Sequence, residues 1–140
     1  MKMWFAAVSL VLGFAVPACA GDYASEISAY RRAHGLSAVK LDSRLSAVAR
    51  KQAEAMAASG SISHSAAGSF SSRVAPLRKS RAAENIAAGF LTFAETLKQW
   101  KESAGHRANL LMPGAKKVGV ASVANARSPY RMFWAMVITD

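Results

Sequence analysis

Apolar residues three and four positions apart predict two helices in the first half of the chain. The first covers residues 26–33 and is stopped by Gly35. The second begins after an N-cap at Asp42 and runs to Gly60, which ends it. One face of this second helix is apolar except for Gln52, and its other members are Leu45, Val48, Ala49 and Met56.

A capping box predicts the start of a third helix in the second half of the chain. Thr92 and Glu95 have the spacing at which side chain and backbone exchange two hydrogen bonds at a helix N-terminus. Phe93, Leu97 and Trp100 follow at positions i, i+4 and i+7, so they form the stripe that we expect to be buried.

β-Branched and aromatic residues predict two strands, 117–123 and 130–139, joined by a turn at 125–129. A brief extended segment is expected at 38–41. The stretch 61–80 is rich in serine, alanine and glycine, and its weak periodicity predicts a loop with at most one helical turn.

Helices followed by strands favour an α+β fold in which helices pack on a small antiparallel sheet.

The first twenty residues have the composition of a secretory signal peptide. Lys2 precedes an uncharged apolar stretch at 3–16, and Ala18-Cys19-Ala20 matches a small-x-small cleavage site. We expect cleavage after Ala20, a secreted or periplasmic location, and one domain over 21–140. The apolar stretch is too short for a membrane span. An alternative is a lipoprotein acylated at Cys19, because the residues before it faintly resemble a lipobox.

The net charge limits the classes of partner, and the cysteine content limits the possible disulfides. The chain has 18 Lys and Arg against 8 Asp and Glu, a formal charge of +10, which favours anionic neighbours. Export argues against nucleic acid and leaves lipids or sterols, anionic envelope polymers and other proteins. The basic residues form small scattered groups, so a solvated surface without a specific ligand is equally consistent. Cys19 is the only cysteine, which excludes an internal disulfide.

The standard catalytic, phosphate-binding and paired-cysteine motifs do not occur in this sequence. His34 lies beside a glycine at a helix end, where a histidine typically caps carbonyl groups. His64 follows a polar loop, and His106 comes at the end of the Trp100 helix. Glu84 stands among small and apolar residues, which indicates either a partner or a perturbed pKa. Spacing alone does not bring these residues together.

Four segments occur in an order that resembles the CAP superfamily of cysteine-rich secretory, antigen five and pathogenesis-related proteins. The resemblance covers about residues 25–138 and is greatest to the short, cysteine-free bacterial members. It implies an α-β-α sandwich, with helices flanking a small central antiparallel sheet. The segments are "AYRRAHGLSAVKLDSRLSAVARKQAEAMAASGSISHS", "AENIAAG", "WKESAGHRANLLMPGAKKVGVA" and "YRMFWAMVI".

The resemblance also implies a polar cavity lined by two histidines and two glutamates, which holds a divalent metal in some members. Three of these positions match His64, Glu84 and His106, while Ala83 replaces the glycine that precedes the glutamate. The second glutamate is replaced by Ser103. The implied cavity is therefore His64, Glu84, Ser103 and His106. Two imidazoles and one carboxylate could hold zinc with an open position for water.

Glu102 does not replace the lost carboxylate. In a continuous helix Glu102 points about 200° away from Trp100, whereas Ser103 returns to within about 60° of the buried stripe. Loss of one carboxylate leaves a hydrogen-bonded polar cluster as the alternative to a metal site. Asn85 is expected to bond backbone groups in a loop around Glu84, and Trp100 to pack in the core. Ser103 and His106 could pair as nucleophile and base, but no group that orients the imidazole is apparent.

Three functions stay open at this stage. The sequence favours a binding or interaction module that uses the polar cavity, with a lipid, an envelope polymer or a protein as ligand. The alternatives are a divalent-metal-assisted hydrolase or protease using the same cavity and a purely structural protein. The missing carboxylate and the absence of a protease motif count against the enzyme.

Overall fold

The computed structural model describes residues 21–140, so the predicted signal peptide and Cys19 lie outside the described residues. In that part of the chain no helix is long and apolar enough to cross a membrane. The helices are Gly21–Ala33 (α1), Ser43–Ser59 (α2), Phe70–Val74 (α3), Phe93–Glu102 (α4) and Ala104–Leu110 (α5), and a 3-10 turn, Ala75–Leu77, follows α3. The strands are Lys40–Leu41 (β1), Ala82–Ala88 (β2), Lys117–Asn125 (β3) and Arg131–Thr139 (β4).

The four strands form one sheet in the order β1-β3-β4-β2. β4 pairs antiparallel with both β2 and β3, and the two-residue β1 pairs parallel with β3. The antiparallel hairpin predicted from the end of the sequence is β3 and β4. Strand β2 forms one edge of the sheet, and its position decides where the polar residues meet.

Helices cover both faces of the sheet, which confirms the predicted α+β class. On one face α2 packs its apolar stripe against β2, β3 and β4, and this core includes Leu45, Ala49, Met56, Ile86, Phe133 and Val137. On the other face α1, α4 and α5 bury a second core, which includes Ile27, Trp100, Leu110, Val120, Trp134 and Met136. The sheet is thus the middle layer of an α-β-α sandwich.

The helix boundaries predicted from capping chemistry are confirmed. The Asp42 carboxylate accepts hydrogen bonds from the backbone N–H groups of Arg44 and Leu45 at the start of α2. Gly60 ends that helix with a φ of +69°, a backbone conformation that glycine adopts without a steric penalty. Thr92 and Glu95 form the complete capping box of α4.

Four local predictions were wrong. Helix α1 begins at Gly21, five residues before the predicted start, because Ala24 also packs in the core beside Ile27. The segment around Glu84 is the strand β2, because pairing with β4 overrides the low strand propensity of its alanines. The Trp100 helix ends at Glu102, Ser103 is extended (φ −91°, ψ 122°), and a separate helix α5 carries His106. The angle derived for Ser103 from a continuous helix therefore does not apply. The stretch 61–80 contains α3 and a 3-10 turn, more than the single turn expected.

The close approach of α2 to β3 depends on a glycine. A Cβ atom on Gly119 would lie 2.1 Å from the backbone nitrogen of Ser46 and 2.2 Å from the carbonyl carbon of Leu45. Both contacts are with backbone atoms, which cannot turn aside as a flexible side chain would. The helix therefore lies against this strand at a distance that no other residue type allows.

We expect Gly119→Ala to destabilise the protein by about 3 kcal/mol or more, because α2 must move off the sheet to admit the methyl group. Urea denaturation monitored by circular dichroism measures the change. Gly105→Ala is the matched control, since a Cβ there meets nothing within 4 Å. Equal stability of the Gly119 variant and the wild type would show that the two elements do not touch as described.

Candidate functional site

Glu84 is the centre of the polar site. It lies in the edge strand β2, and its side chain is only 2% exposed. Both of its carboxylate oxygens accept hydrogen bonds from the guanidinium group of Arg73 in α3. The Arg73 Nη1 to Glu84 Oε2 distance is 2.6 Å, and the Nη2 to Oε1 distance is 3.0 Å. This is the two-point pairing that gives Arg and carboxylate groups their strongest and most directional contact.

His64 is the solvent-facing member of the site. Its Nδ1 lies 2.9 Å from Glu84 Oε1, while its side chain is 57% exposed. A carboxylate can only accept, so Nδ1 donates the hydrogen of this bond. In the neutral ring the other nitrogen, Nε2, then carries the free lone pair. The structure thus brings together two of the predicted residues, His64 and Glu84, and aims one imidazole nitrogen outwards.

The loop that carries His64 is fastened from two sides. Buried Gln52 in α2 donates from its side-chain amide to the carbonyl of Ser63 and accepts from the backbone N–H of Ala67. Arg73 donates from Nη2 to the His64 carbonyl (2.7 Å) and from Nε to the Gly68 carbonyl (3.1 Å). Gln52, the polar residue on the apolar face of α2, therefore holds the loop that carries His64.

Helices α4 and α5 hold β2 from the opposite face of the sheet. Asn85 donates to the His106 carbonyl at 3.0 Å, as expected from its predicted backbone role. Asn109 donates to the Glu84 carbonyl at 3.2 Å and to the side-chain oxygen of Asn85 at 2.9 Å. Fully buried Trp100 donates from its indole nitrogen to the Ile86 carbonyl at 3.2 Å. These bonds cover carbonyl groups that an edge strand otherwise leaves open.

The side chains of His106 and Ser103 do not join the hydrogen-bonded cluster. Burial lowers the pKa of His106 below its usual value, and repulsion from His64, when that ring is protonated, lowers it further. Its buried Nδ1 has no direct hydrogen-bond partner in residues 21–140. Ser103 links α4 to α5 through its backbone, and its hydroxyl caps neither helix. No direct hydrogen bond in the described chain connects either side chain to Glu84.

The residues do not fit the zinc site that the resemblance implies. No group of three His, Cys, Asp or Glu side chains between residues 21 and 140 is placed to hold a metal ion. The carboxylate of Glu84 already accepts from a guanidinium, and a second cation beside it would be repelled. In this arrangement Arg73 supplies the positive charge that balances the buried carboxylate.

Arg73 is the residue of the candidate site that sequence reasoning missed. It is the only Lys, Arg, Asp or Glu in the stretch 61–77, and its side chain is 9% exposed. Long polar side chains of this kind are rarely so deeply buried unless they are paired. The sequence signal that could have identified Arg73 is a single cation in a stretch of small and apolar residues. In the structure Arg73 pairs with Glu84, the single acid of β2.

The fold and the cluster define a class of small α-β-α proteins with a polar site at one edge of the sheet. A sequence model of the cysteine-rich secretory protein family, CAP, matches residues 24–138. The chain therefore belongs to this family. No curated protein matches the sequence.

Solved structures with the same fold include bacterial proteins. An outer surface protein of Borrelia burgdorferi superposes with a TM-score of 0.74 at 20% identity, over 84% of this chain and 88% of that one. An extracellular protein of Bacillus anthracis containing an SCP domain gives 0.72 at 24% identity, over 84% of this chain and 39% of that one. A cysteine-rich secretory protein of Staphylococcus aureus gives 0.66 at 17% identity, over 84% and 36%.

Arg73→Met should destabilise the protein by about 3–5 kcal/mol, because it leaves the buried Glu84 carboxylate without a partner. Adding Glu84→Gln should restore much of this loss, since the unpaired charge is then gone. Urea denaturation of the two single variants and the double variant measures the coupling. Arg50→Met is the control, because its pair with Glu54 is exposed (4.0 Å, side chains 60% and 54% exposed) and should cost less than about 1 kcal/mol. Additive effects of Arg73 and Glu84 would contradict the pairing.

His106 should make the protein less stable in mild acid. Its lowered pKa means that the unfolded chain binds a proton near the usual histidine value, while the folded chain resists it. The contribution of neutral His106 to the free energy of unfolding is therefore fully present above the usual histidine pKa, and it is lost as the pH falls below that pKa. His106→Gln should flatten this decline in urea denaturation at pH 7.5, 6.5 and 5.5. An unchanged slope in the His106 variant would refute the assignment.

Proposed function

We propose that this protein is an extracellular binding module that recognises a polar ligand through His64. The observation that carries the proposal is the bonded series Arg73–Glu84–His64, in which two buried groups hold one exposed imidazole. Pre-organisation of this kind reduces the entropy that a ligand must remove on binding. The family and the outer surface and extracellular proteins with the same fold support a location outside the cell.

The surroundings of His64 favour a ligand with hydroxyl or amide groups. The chain before and after it carries exposed and half-buried serines, of which Ser59 and Ser61 lie 3.1 Å apart and Ser63 and Ser65 lie 3.0 Å apart, oxygen to oxygen. Hydroxyl groups donate and accept, as does the neutral imidazole. Such a surface suits a polysaccharide or peptide strand of a cell envelope better than a lipid tail.

The same contacts weigh against hydrolysis. Glu84 is committed to Arg73 and His64, and its side chain is only 2% exposed, so it is poorly placed to activate water. Within the described chain no serine, threonine or cysteine side chain is hydrogen-bonded to the His64 ring as a nucleophile would be. The cluster therefore acts as a support for His64 in a binding surface.

Co-sedimentation of the purified protein with insoluble peptidoglycan tests the proposal. We expect the wild type to sediment and His64→Ala to bind roughly tenfold more weakly, because it loses a hydrogen bond at the centre of the contact. His34→Ala is the matched control: His34 is also exposed, and its Nδ1 lies 2.9 Å from the Tyr30 carbonyl, away from the cluster.

Two results would contradict the proposal. Equal binding by both histidine variants would place the contact elsewhere. Solvent extraction of the purified protein followed by mass spectrometry would also contradict it, if one lipid per chain were found in the wild type and lost in His64→Ala.

A further inference from the structure

The fold gathers basic residues that are scattered in the sequence at one end of the sheet. Strands β1 and β3 begin at this end, β4 finishes there, and the segment before β2 crosses it. Seven cations lie on these elements or on the first turn of α2. This group, called here the basic rim, consists of Lys40, Arg44, Arg78, Lys79, Arg81, Lys116 and Lys117.

Strand register places several members of the basic rim next to one another. Lys40 is the direct partner of Lys117, and Lys117 lies opposite Thr139, which in turn lies opposite Ala82. Lys116 and Arg81 precede these positions and form the next row outwards. Four adjacent strands span about 14 Å, so the rim places cations on both sides of the sheet end, with Thr139 and Asp140 of the β4 end between them.

Hydrogen bonds hold the segment before β2 across this end. Lys79 donates from Nζ to an oxygen of Asp140 at 2.9 Å, and Ser80 also bonds the Asp140 side chain. Arg81 donates from Nη1 to the Pro113 carbonyl at 2.9 Å, which joins it to the loop before β3. These bonds fix the positions of Lys79 and Arg81 at the sheet end.

The rim has too few acidic groups to balance it. Asp42 lies 3.4 Å from Lys117 and 3.7 Å from Arg44, and Asp140 is the other acid at this end. Lys40, Arg78 and Lys116 are exposed and form no ion pair within residues 21–140. Like charges on directly paired strand residues destabilise a sheet, so an anion lying across them removes a repulsion.

We propose that the basic rim binds a linear polyanion, such as a phosphodiester polymer, laid across the end of the sheet. This inference does not rest on the proposed function, since His64 takes no part in it. Cations spread over this distance match a ligand whose negative groups recur along an extended chain. Release of counterions from that chain drives the association.

The position of exposed apolar side chains favours a polymer over an anionic membrane. Surface binding to a bilayer generally combines basic residues with apolar groups that enter it. Of the large apolar residues exposed in the described chain, Ile62, Leu91 and Tyr130 lie outside the rim, and only Leu41, 38% exposed, lies on it.

The test is a fluorescence titration of the whole mature protein with long-chain inorganic polyphosphate at several salt concentrations. Lys40→Gln/Arg78→Gln/Lys116→Gln should bind at least about tenfold more weakly at 0.1 M salt, and its salt slope should fall by about 2, since each lost contact removes about 0.7–0.9. The matched control, Lys51→Gln/Arg127→Gln/Arg131→Gln, removes three exposed charges elsewhere and should change affinity less than about threefold.

Equal losses in the two triple variants would overturn the inference, because affinity would then follow net charge alone. Binding to phosphatidylglycerol vesicles with none to polyphosphate would also overturn it, in favour of a membrane surface. Thermal melts check that each variant is folded, and Lys116→Glu alone replaces the rim variant if that one does not fold. Peptidoglycan binding through His64 should be the same in the rim variant, which separates failure of this inference from failure of the proposed function.

Discussion

The pairing of Arg73 with Glu84 is the interaction on which the polar edge of this protein depends. A carboxylate that is 2% exposed loses the hydration that stabilises its charge, and the cost is several kcal/mol unless a cation replaces the water. Arg73 takes the place of this water only if the chain between α2 and β2 folds back onto the sheet. The same guanidinium bonds the carbonyls of His64 and Gly68 in that chain. The Arg73 side chain therefore neutralises the buried Glu84 carboxylate and also holds the loop that carries His64.

The site occupies a place that the sheet must protect in any case. β2 is an edge strand, and unpaired backbone groups at an edge invite pairing with other chains. Trp100 and Asn109 cover two of its carbonyls from one face, and Asn85 bonds the start of α5. The loop with His64 and Arg73 meets the same strand from the other face. Protection of the edge and assembly of the cluster are thus achieved by one set of contacts.

Sequence reasoning predicted the features that local chemistry determines. The caps at Asp42, Gly60 and Thr92 and the buried stripe ending at Trp100 depend on residues within a few positions of one another. The strand β2 could not be predicted this way, because alanines form a strand only when a partner such as β4 lies beside them. The break at Ser103 was missed for a related reason, since α5 is held by bonds to β2.

The candidate site shows the same division. The family resemblance pointed to His64, Glu84 and His106, which lie 20 and 22 positions apart in the sequence. It implied a metal beside Glu84, whereas in this chain the partner of that carboxylate is Arg73. The ion pair is formed by residues 11 positions apart on different elements, so no periodicity could show it. Gln52 was visible as a polar residue on an apolar face, but its two partners become known only when the loop is in place.

The positive charge of the chain serves two different physical purposes once it is folded. Arg73 is balanced inside the protein, where neither salt nor solvent screens its contact with Glu84 effectively. The basic rim is exposed, so its field reaches solvent and weakens as ionic strength rises. The net charge of +10 does not distinguish the buried, paired arginine from the exposed cations of the rim. Since salt screens the exposed rim and leaves the buried pair intact, ionic strength changes the field of the rim without loosening the bonds that hold His64.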